Sequence, residues 1–218
     1  GSGSAAMEKI SVTTEKVGGK MKTAGQTMMP VTAALTGLGA VSVNTANDFE
    51  DAMSQAAGAL DMPMEQMGEL RDLAIQTGKE TIFSAKEAGQ AITELAKGGL
   101  TEADIQAGAL KSTMDLAASS GMELGNAANV VVQAMGAFGL TANDSAQAAN
   151  ALAGAAAASS TDVEPLTQGL AQASAQAKNA GWSIQETTAV LGKFADAGIV
   201  GSDAGTSLKT MLQRLAAP

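Results

Sequence analysis

The sequence contains no cysteine, no histidine and no tyrosine, and its aromatic residues are one tryptophan and four phenylalanines among 218 residues. Without cysteine and histidine, the chain has no disulfide framework, no zinc finger, no thiol nucleophile and no Ser-His-Asp triad. These absences exclude the commonest metal-dependent and nucleophilic chemistries. We therefore expect no enzyme activity, no catalytic or metal-binding residues and no cofactor.

Positive charge is also scarce. Thirteen Lys and Arg residues stand against 22 Asp and Glu, which gives a net charge of −9, and no Lys or Arg occurs from residue 112 to residue 177. Proteins that bind nucleic acids hold the phosphates with cationic side chains. We therefore expect no specific nucleic-acid partner.

Long apolar runs are missing as well. The sequence has no stretch of 18 or more apolar residues, the length that a membrane-spanning helix needs. The closest stretch, residues 30–43, is interrupted by Thr, Gly and Ser. We interpret it as a helix with a small-residue face, with a membrane-seeking segment as the alternative. The first six residues, GSGSAA, are typical of a cloning linker and are left out of the fold.

Small residues with a helical period are abundant. Alanine makes up about a fifth of the chain, and apolar residues recur three or four positions apart, whereas no segment has a convincing strand pattern. Each small side chain buries little apolar area, so the core must consist of many contacts that are each small. We predict an all-α fold, a multi-helix bundle. One predicted buried stripe, in the last helix, comprises Ala204, Leu208, Met211, Leu212 and Leu215.

Helix starts are marked by the spacing of a capping box, in which a hydroxyl residue is followed three positions later by an acid. Glycines then mark the predicted helix ends, as expected where the chain enters the left-handed region. The predicted boxes pair Ser84 with Glu87, Thr101 with Asp104, Thr141 with Asp144, Thr161 with Glu164, and Ser183 with Glu186. The predicted ends are Gly98-Gly99, Gly121, Gly139, Gly181 and Gly198.

Two of these helices lie in segments that resemble each other at an offset of 99 residues, 83–100 and 182–199. Each has an aromatic residue before the cap and a large apolar residue after the helix, and a weaker copy begins at Thr141. An internal repeat would give this pattern. Unrelated helices of similar length with similar caps and end glycines would give it too, so both interpretations stay open.

The first part of the chain has a different period. Apolar residues recur every seven positions, as one seam of a long supercoiled helix requires, but Pro30 lies within the pattern and must kink or end a helix there. We predict helices over about 9–28 and 31–60, either collinear or folded as a hairpin, with an ordinary amphipathic pair as the alternative. The seam comprises Ile10, Val17, Ala24, Val31 and Leu38, with Thr14, Met21, Met28 and Leu35 interleaved.

Two groups of residues are candidate partner-binding positions. Met62, Met64 and Met67 lie together around Pro63, and flexible thioethers suit surfaces that must adapt, although methionine more often fills a core. The second group is taken from the seam and comprises Ile10, Val17, Met21 and Met28.

Other candidate chemistry is weak. The glycine-rich segment 198–206 lacks the Gly-Lys-Ser/Thr register of a phosphate loop, and we interpret it as a turn between helices with Ser202 or Asp203 as a cap. Acidic residues cluster at 48–51 and at 162–164 without the spacing of a calcium loop. We interpret both clusters as solvated helix surface.

Short segments spread along the chain form an ordered set. They are Asp48-Phe49-Glu50, Ala52-Met53-Ser54, Thr81-x-Phe83-Ser84-Ala85, Leu95-Ala96-x-x-Gly99, Ala137-Phe138-Gly139-Leu140, Ser160-Thr161-Asp162-Val163, Glu186-Thr187-Thr188-Ala189-x-Leu191-Gly192, Ala195-Asp196-Ala197-Gly198-Ile199-x-Gly201-Ser202-x-Ala204-Gly205-Thr206-Ser207-Leu208 and Leu212-x-Arg214-Leu215. Each is short, but their order and spacing together are specific. The set, which covers about residues 7–218, resembles the core domain of phage tail tape measure proteins.

The resemblance implies a structural role. Tape measure proteins are long helical chains in the lumen of the tail tube, where their length sets tail length, and they leave the tube to assist DNA delivery. The implied partners are the tail tube protein, tail assembly chaperones and distal tail or baseplate proteins, together with self-association and contact with the host membrane. The implied locations are the tail tube lumen of the virion, the host cytoplasm during assembly and the host envelope after ejection. Since whole tape measures are several times longer, we expect this chain to be a fragment.

Two other functions remain as alternatives. The first is a membrane-active helical domain that inserts into or permeabilises the host envelope during genome ejection. The second is a lytic enzyme, which the composition disfavours. For organisation, we predict a linker at 1–6, long N-terminal helices that form an extension or hairpin at 7–83, and an Ala/Gly-rich core bundle at 84–218.

Overall fold

The computed structural model describes residues 43–216, and within that range the chain is helical with no strand. The all-α prediction is confirmed. The predicted seam residues Ile10, Val17, Met21 and Met28 lie outside the described residues, as do the helix predicted at 9–28 and the stretch 30–42.

Nine α-helices follow one another in this range, joined by short turns. The predicted end of a helix at Leu60 is confirmed. Before α4, a short turn at Glu102–Asp104 and a π-helical segment at Ile105–Ala109 form a kink, where Gly108 has φ 137°. The helices are α1 Val43–Leu60, α2 Gly68–Glu80, α3 Ala85–Lys97, α4 Leu110–Ser120, α5 Leu124–Phe138, α6 Ser145–Ala157, α7 Val163–Asn179, α8 Ile184–Asp196 and α9 Gly201–Ala216.

Capping boxes begin several of these helices, as predicted. At α3 the amide of Glu87 donates to the hydroxyl of Ser84 at 3.2 Å, and the amide of Ser84 donates to the Glu87 carboxylate at 2.7 Å. The box at Ser183 has the same two distances, and the box at Thr101 is also complete. The box predicted at Thr161 is wrong, because Asp162 takes the N-cap position of α7 without a side-chain hydrogen bond.

One backbone motif ends six of the nine helices in residues 43–216, and at the ends of α1, α4 and α7 it recurs 60 residues apart. Asp61, Gly121 and Gly181 have φ of 53°, 70° and 79°, and after each of them an amide donates to the carbonyl five residues back. This six-to-one bond is the Schellman motif, which needs the left-handed conformation that glycine adopts at least cost. The donors are Met62, Met122 and Trp182, and the acceptors are Ala57, Ala117 and Ala177, at 3.0, 3.2 and 2.9 Å.

The helices that end at Asp61, Gly121 and Gly181 are each the first of three, so the nine helices form three units, α1–α3, α4–α6 and α7–α9. In each unit the third helix packs against the first, and the third helix of one unit packs against the second helix of the next, as α3 does with α5 and α6 with α8. The segments related at an offset of 99 residues share a capping box. They nevertheless occupy different places, since α3 is third in its unit and α8 is second.

Small residues make the contacts within units possible. A Cβ on Gly205 of α9 would lie inside van der Waals distance of the Gly169 carbonyl oxygen of α7, and a Cβ on Gly89 of α3 would lie 3.1 Å from the Ala52 methyl of α1. In the second unit the hydroxyls of Ser112 and Ser145 are 3.4 Å apart. The Ala/Gly-rich composition therefore sets the spacing of the helices. Larger buried side chains fill the space between these crossings, among them Met53, Leu70, Ile92, Leu116, Leu152 and Leu170.

Candidate interaction surfaces

Several carboxylates of the described chain cap helices or form ion pairs. Lys86 donates to Asp48 at 2.9 Å, and Arg71, which lies 5.5 Å from the centre of the Phe49 ring, pairs with Glu50. No group of three or more metal-ligating residues occurs within residues 43–216. The acidic cluster at 48–51 therefore contributes to the packing of α1 against α2 and α3.

Hydrogen bonding lowers the pKa of four exposed carboxyls. The hydroxyl and the backbone amide of Thr101 lower the pKa of Asp104, those of Thr141 do the same for Asp144, and the Ser183 amide and hydroxyl lower that of Glu186. For Asp196 the main cause is the hydrogen bond from Lys193, followed by the amide of Ser160. In the folded chain these ionised carboxylates accept hydrogen bonds from backbone and side-chain donors, which is a structural role.

The glycine-rich segment 198–206 is a turn followed directly by a helix. Gly198 ends α8 with φ 84°, and α9 begins at Gly201. Ser202 and Asp203, which were predicted as caps, lie within the first turn of α9 instead.

The methionine group divides between surface and core. Met62 and Met64 are half-buried beside the exposed Pro63, whereas the side chain of Met67 is fully buried. Met67 is therefore a core residue, and its neighbours are the two that a partner can reach. Partner binding at Met62 and Met64 stays a prediction.

Two of the helix pairs that join the units, α3 with α5 and α6 with α8, run parallel. Between α6 and α8, Gln147 and Gln185 are hydrogen-bonded at 3.3 Å near the helix starts, and the Ser160 amide donates to Asp196 at 2.9 Å beyond the ends. Between α3 and α5, a Cβ on Gly98 would press against Val132. Both α5 and α6 also contact α7, so the second and third units are joined by more than one helix pair.

In α9, the third helix of the last unit, the face that corresponds to the contact faces of α3 and α6 is exposed to solvent. Met211 and Leu215 are 36% and 75% exposed, although the periodicity of the sequence predicted both to be buried. That prediction is wrong, because α9 buries only the narrow face that meets α7, which includes Leu208 and Leu212. The exposed residues form a shallow groove, which is lined by Thr206, Ser207, Thr210, Met211, Arg214 and Leu215.

No helix among residues 43–216 has both the length and the apolar character needed to cross a membrane.

Comparison with known proteins places the chain among phage tail proteins. Residues 71–218 match the family model described as phage-related minor tail protein. The chain is 36% identical over 188 residues to the tape measure protein of Pneumococcus phage Dp-1, and 30% identical over 206 residues to the probable tape measure protein of Escherichia phage P2. These alignments cover 86% and 94% of this chain but only 16% and 25% of the relatives, and no solved structure matches.

The family match covers more than half of the chain, and it agrees with the order of the short segments in the sequence. The chain therefore belongs to the phage-related minor tail protein family, and it resembles a fragment of a tape measure protein.

Proposed function

We propose that this chain is a non-enzymatic part of a tape measure, which sets the length of the tail tube during assembly and is ejected to assist DNA delivery. The observation that carries the proposal is the family match, together with the identity of 36% and 30% to two tape measure proteins. The 60-residue period of the helix ends supports it, because a ruler built of units changes length by whole units.

The proposed location is the lumen of the tail tube, and the proposed partners are the tail tube protein, distal tail proteins and tail assembly chaperones. A chaperone needs an adaptable apolar surface on the chain before assembly. Met62 and Met64 provide thioethers at the surface beside Pro63, so we assign them as the first positions to test for chaperone binding.

The test is the length of tails made by a phage that encodes the chain with whole units removed. Deleting residues 122–181 joins Gly121 to Trp182 and thereby recreates the junction that Gly181 makes with φ 79°. If the chain is threaded as a helix, removing about 60 residues at about 1.5 Å each shortens the tail by roughly 90 Å. A duplication of the same segment should lengthen it by as much.

Electron micrographs of both variants give the slope of tail length against residue number. A slope near 1.5 Å per residue in both directions supports the ruler. Tails of unchanged length in both variants would show that these residues do not measure the tube, and the ruler proposal for this segment would be wrong.

The alternative function, a membrane-active domain, predicts that the purified chain releases dye from liposomes. The small-residue faces that such a domain would insert already pack against each other, as Gly205 does against Gly169. This observation favours the structural role, and a leakage assay with lipid vesicles separates the two functions.

A further inference from the structure

The exposed face of α9 corresponds to a face that α6 uses for helix packing. Counted from the first residue of each helix, Ala149 of α6 corresponds to Gly205 of α9, and both are buried. Ala155 of α6 corresponds in the same way to Met211, but Ala155 is 9% exposed and Met211 is 36% exposed. Gly192 of α8 lies against Ala155, since a Cβ on this glycine would be 3.6 Å from the Ala155 carbonyl oxygen. In α9, therefore, a face suited to packing against a helix is open to solvent.

Four exposed residues follow one line along the centre of this face, Asp203, Ser207, Thr210 and Arg214. They are four, three and four positions apart, so they lie within about 60° of one another around the helix. Asp203 is in the first turn of α9 and Arg214 is in its last turn. Neither of them forms an ion pair with another residue of 43–216. The line thus has an acid at one end, a cation at the other and small side chains between them.

This line is complementary to itself when two copies of α9 lie antiparallel. Asp203 of each copy is then opposite Arg214 of the other, because both are equally far from the midpoint of the line. Ser207 and Thr210 lie around that midpoint, and their small side chains allow a short distance between the two helix axes. A parallel pair of the same faces would set Asp203 against Asp203 and Arg214 against Arg214, which like-charge repulsion disfavours. The charges therefore favour the antiparallel arrangement.

We propose that two copies of the chain form a dimer in which α9 of one copy packs antiparallel against α9 of the other. Two Asp203–Arg214 ion pairs, related by a twofold axis, fix the register, and Met211 beside the line adds apolar contact area. Both copies contribute the same surface, so the contact closes on a dimer. The interface is independent of the proposed ruler function, and either proposal can fail without the other.

Sedimentation velocity of the 218-residue chain over a wide range of concentrations tests the proposal. We expect the mean mass to rise with concentration to twice that of a single chain and to rise no further. D203R and R214E should each raise the dissociation constant by about tenfold or more, since each sets like charges against each other at two places in the dimer.

E164R and K97E are the matched controls. They make the same two changes of charge at exposed positions in the first turn of α7 and in the last turn of α3. Both should dimerise as the wild type does. Circular dichroism should show the same helix content in all four variants, because every substituted residue lies on the surface.

Mixing the variants tests which residues meet. D203R and R214E, mixed one to one, should dimerise although neither does so alone, and the double variant D203R/R214E should recover the dimer. A wild-type chain that stays monomeric at every concentration overturns the proposal. So does association that D203R and R214E leave unchanged, or growth beyond the dimer, because another surface would then be responsible.

Discussion

At the residue scale, hydrogen bonds between side chains and backbone fix where the helices begin. Ser183 accepts the amide of Glu186, and the Glu186 carboxylate accepts the amide of Ser183, so two donors at the start of α8 are satisfied by two side chains. The spacing in the sequence was sufficient to predict this box, because both partners lie within one helical turn.

Removing this cap should therefore destabilise the chain. We expect S183A to lower the free energy of unfolding by about 1 kcal/mol, since the amide of Glu186 loses its acceptor. Urea denaturation followed by circular dichroism measures the change. S54A, at an exposed position in α1, should have almost no effect. Equal losses in the two variants would contradict the assignment of the cap.

The cap carboxyls also predict how stability depends on pH. The pKa values of Asp104 and Asp144 are lowered from 3.8, and that of Glu186 from 4.5, so the folded chain binds these protons less readily than the unfolded chain. Their contribution is therefore complete above the unfolded pKa values, and it is lost as pH falls through the lower folded values.

We expect the free energy of unfolding to decrease as pH falls from about 5 to about 3. The variant D104N/D144N/E186Q should be less stable at neutral pH, and its stability should change less over that interval, because its caps no longer titrate. Denaturation at a series of pH values gives both curves. Two parallel curves would show that other carboxyls cause the acid sensitivity.

At the element scale, glycine determines how closely two helices can approach. A Cβ on Gly205 would press against the backbone carbonyl of Gly169, which cannot rotate away as a side chain can. We expect G205A to separate α7 from α9 and to destabilise the chain by about 1–3 kcal/mol. Thermal unfolding measures this loss.

Gly136 in α5 supplies the matched control, because a Cβ there would meet no atom within 4 Å. G136A should be neutral or stabilising by about 0.5–1 kcal/mol, since alanine is the better helix former. If G205A and G136A behave alike, the close crossing of α7 and α9 does not contribute to stability.

The spacing of apolar residues along a helix predicts that one face is apolar, but it does not show which part of that face another helix covers. In α9, Leu208 and Leu212 face α7, whereas Met211 and Leu215 continue the stripe around the helix onto the surface. The sequence predicted all four to be buried. Which of them is covered depends on the position of α7, and no local pattern contains that information.

At the scale of the whole molecule, net charge predicts how the chain behaves toward DNA. With a net charge of −9 the chain and the phosphate backbone repel each other, so DNA should not adhere to the chain. We expect no change in the fluorescence anisotropy of a labelled duplex at physiological salt. A complex at micromolar concentration under these conditions would contradict the prediction.

The repeat also belongs to this scale. The sequence comparison found segments related by 99 residues because capping boxes are conspicuous, whereas the structural period of 60 residues lies in helix ends at Asp61, Gly121 and Gly181. Asp61 takes the place of a glycine, and the donors after the three ends are two methionines and a tryptophan. Backbone geometry keeps the period while the side chains change, so the two glycines that mark helix ends in the sequence, Gly121 and Gly181, did not reveal it by themselves.

The sequence by itself determined the helical class, most helix starts and ends, and the family, because caps, glycine ends and ordered motifs are local and each acts within a few residues. The tertiary structure decided which helices pair, that Met67 lies in the core and that Met211 and Leu215 do not. These features depend on contacts between residues far apart along the chain, such as Gly205 with Gly169 and Thr93 with Ala52. Burial is a property of two surfaces, and the sequence of one helix describes only one of them.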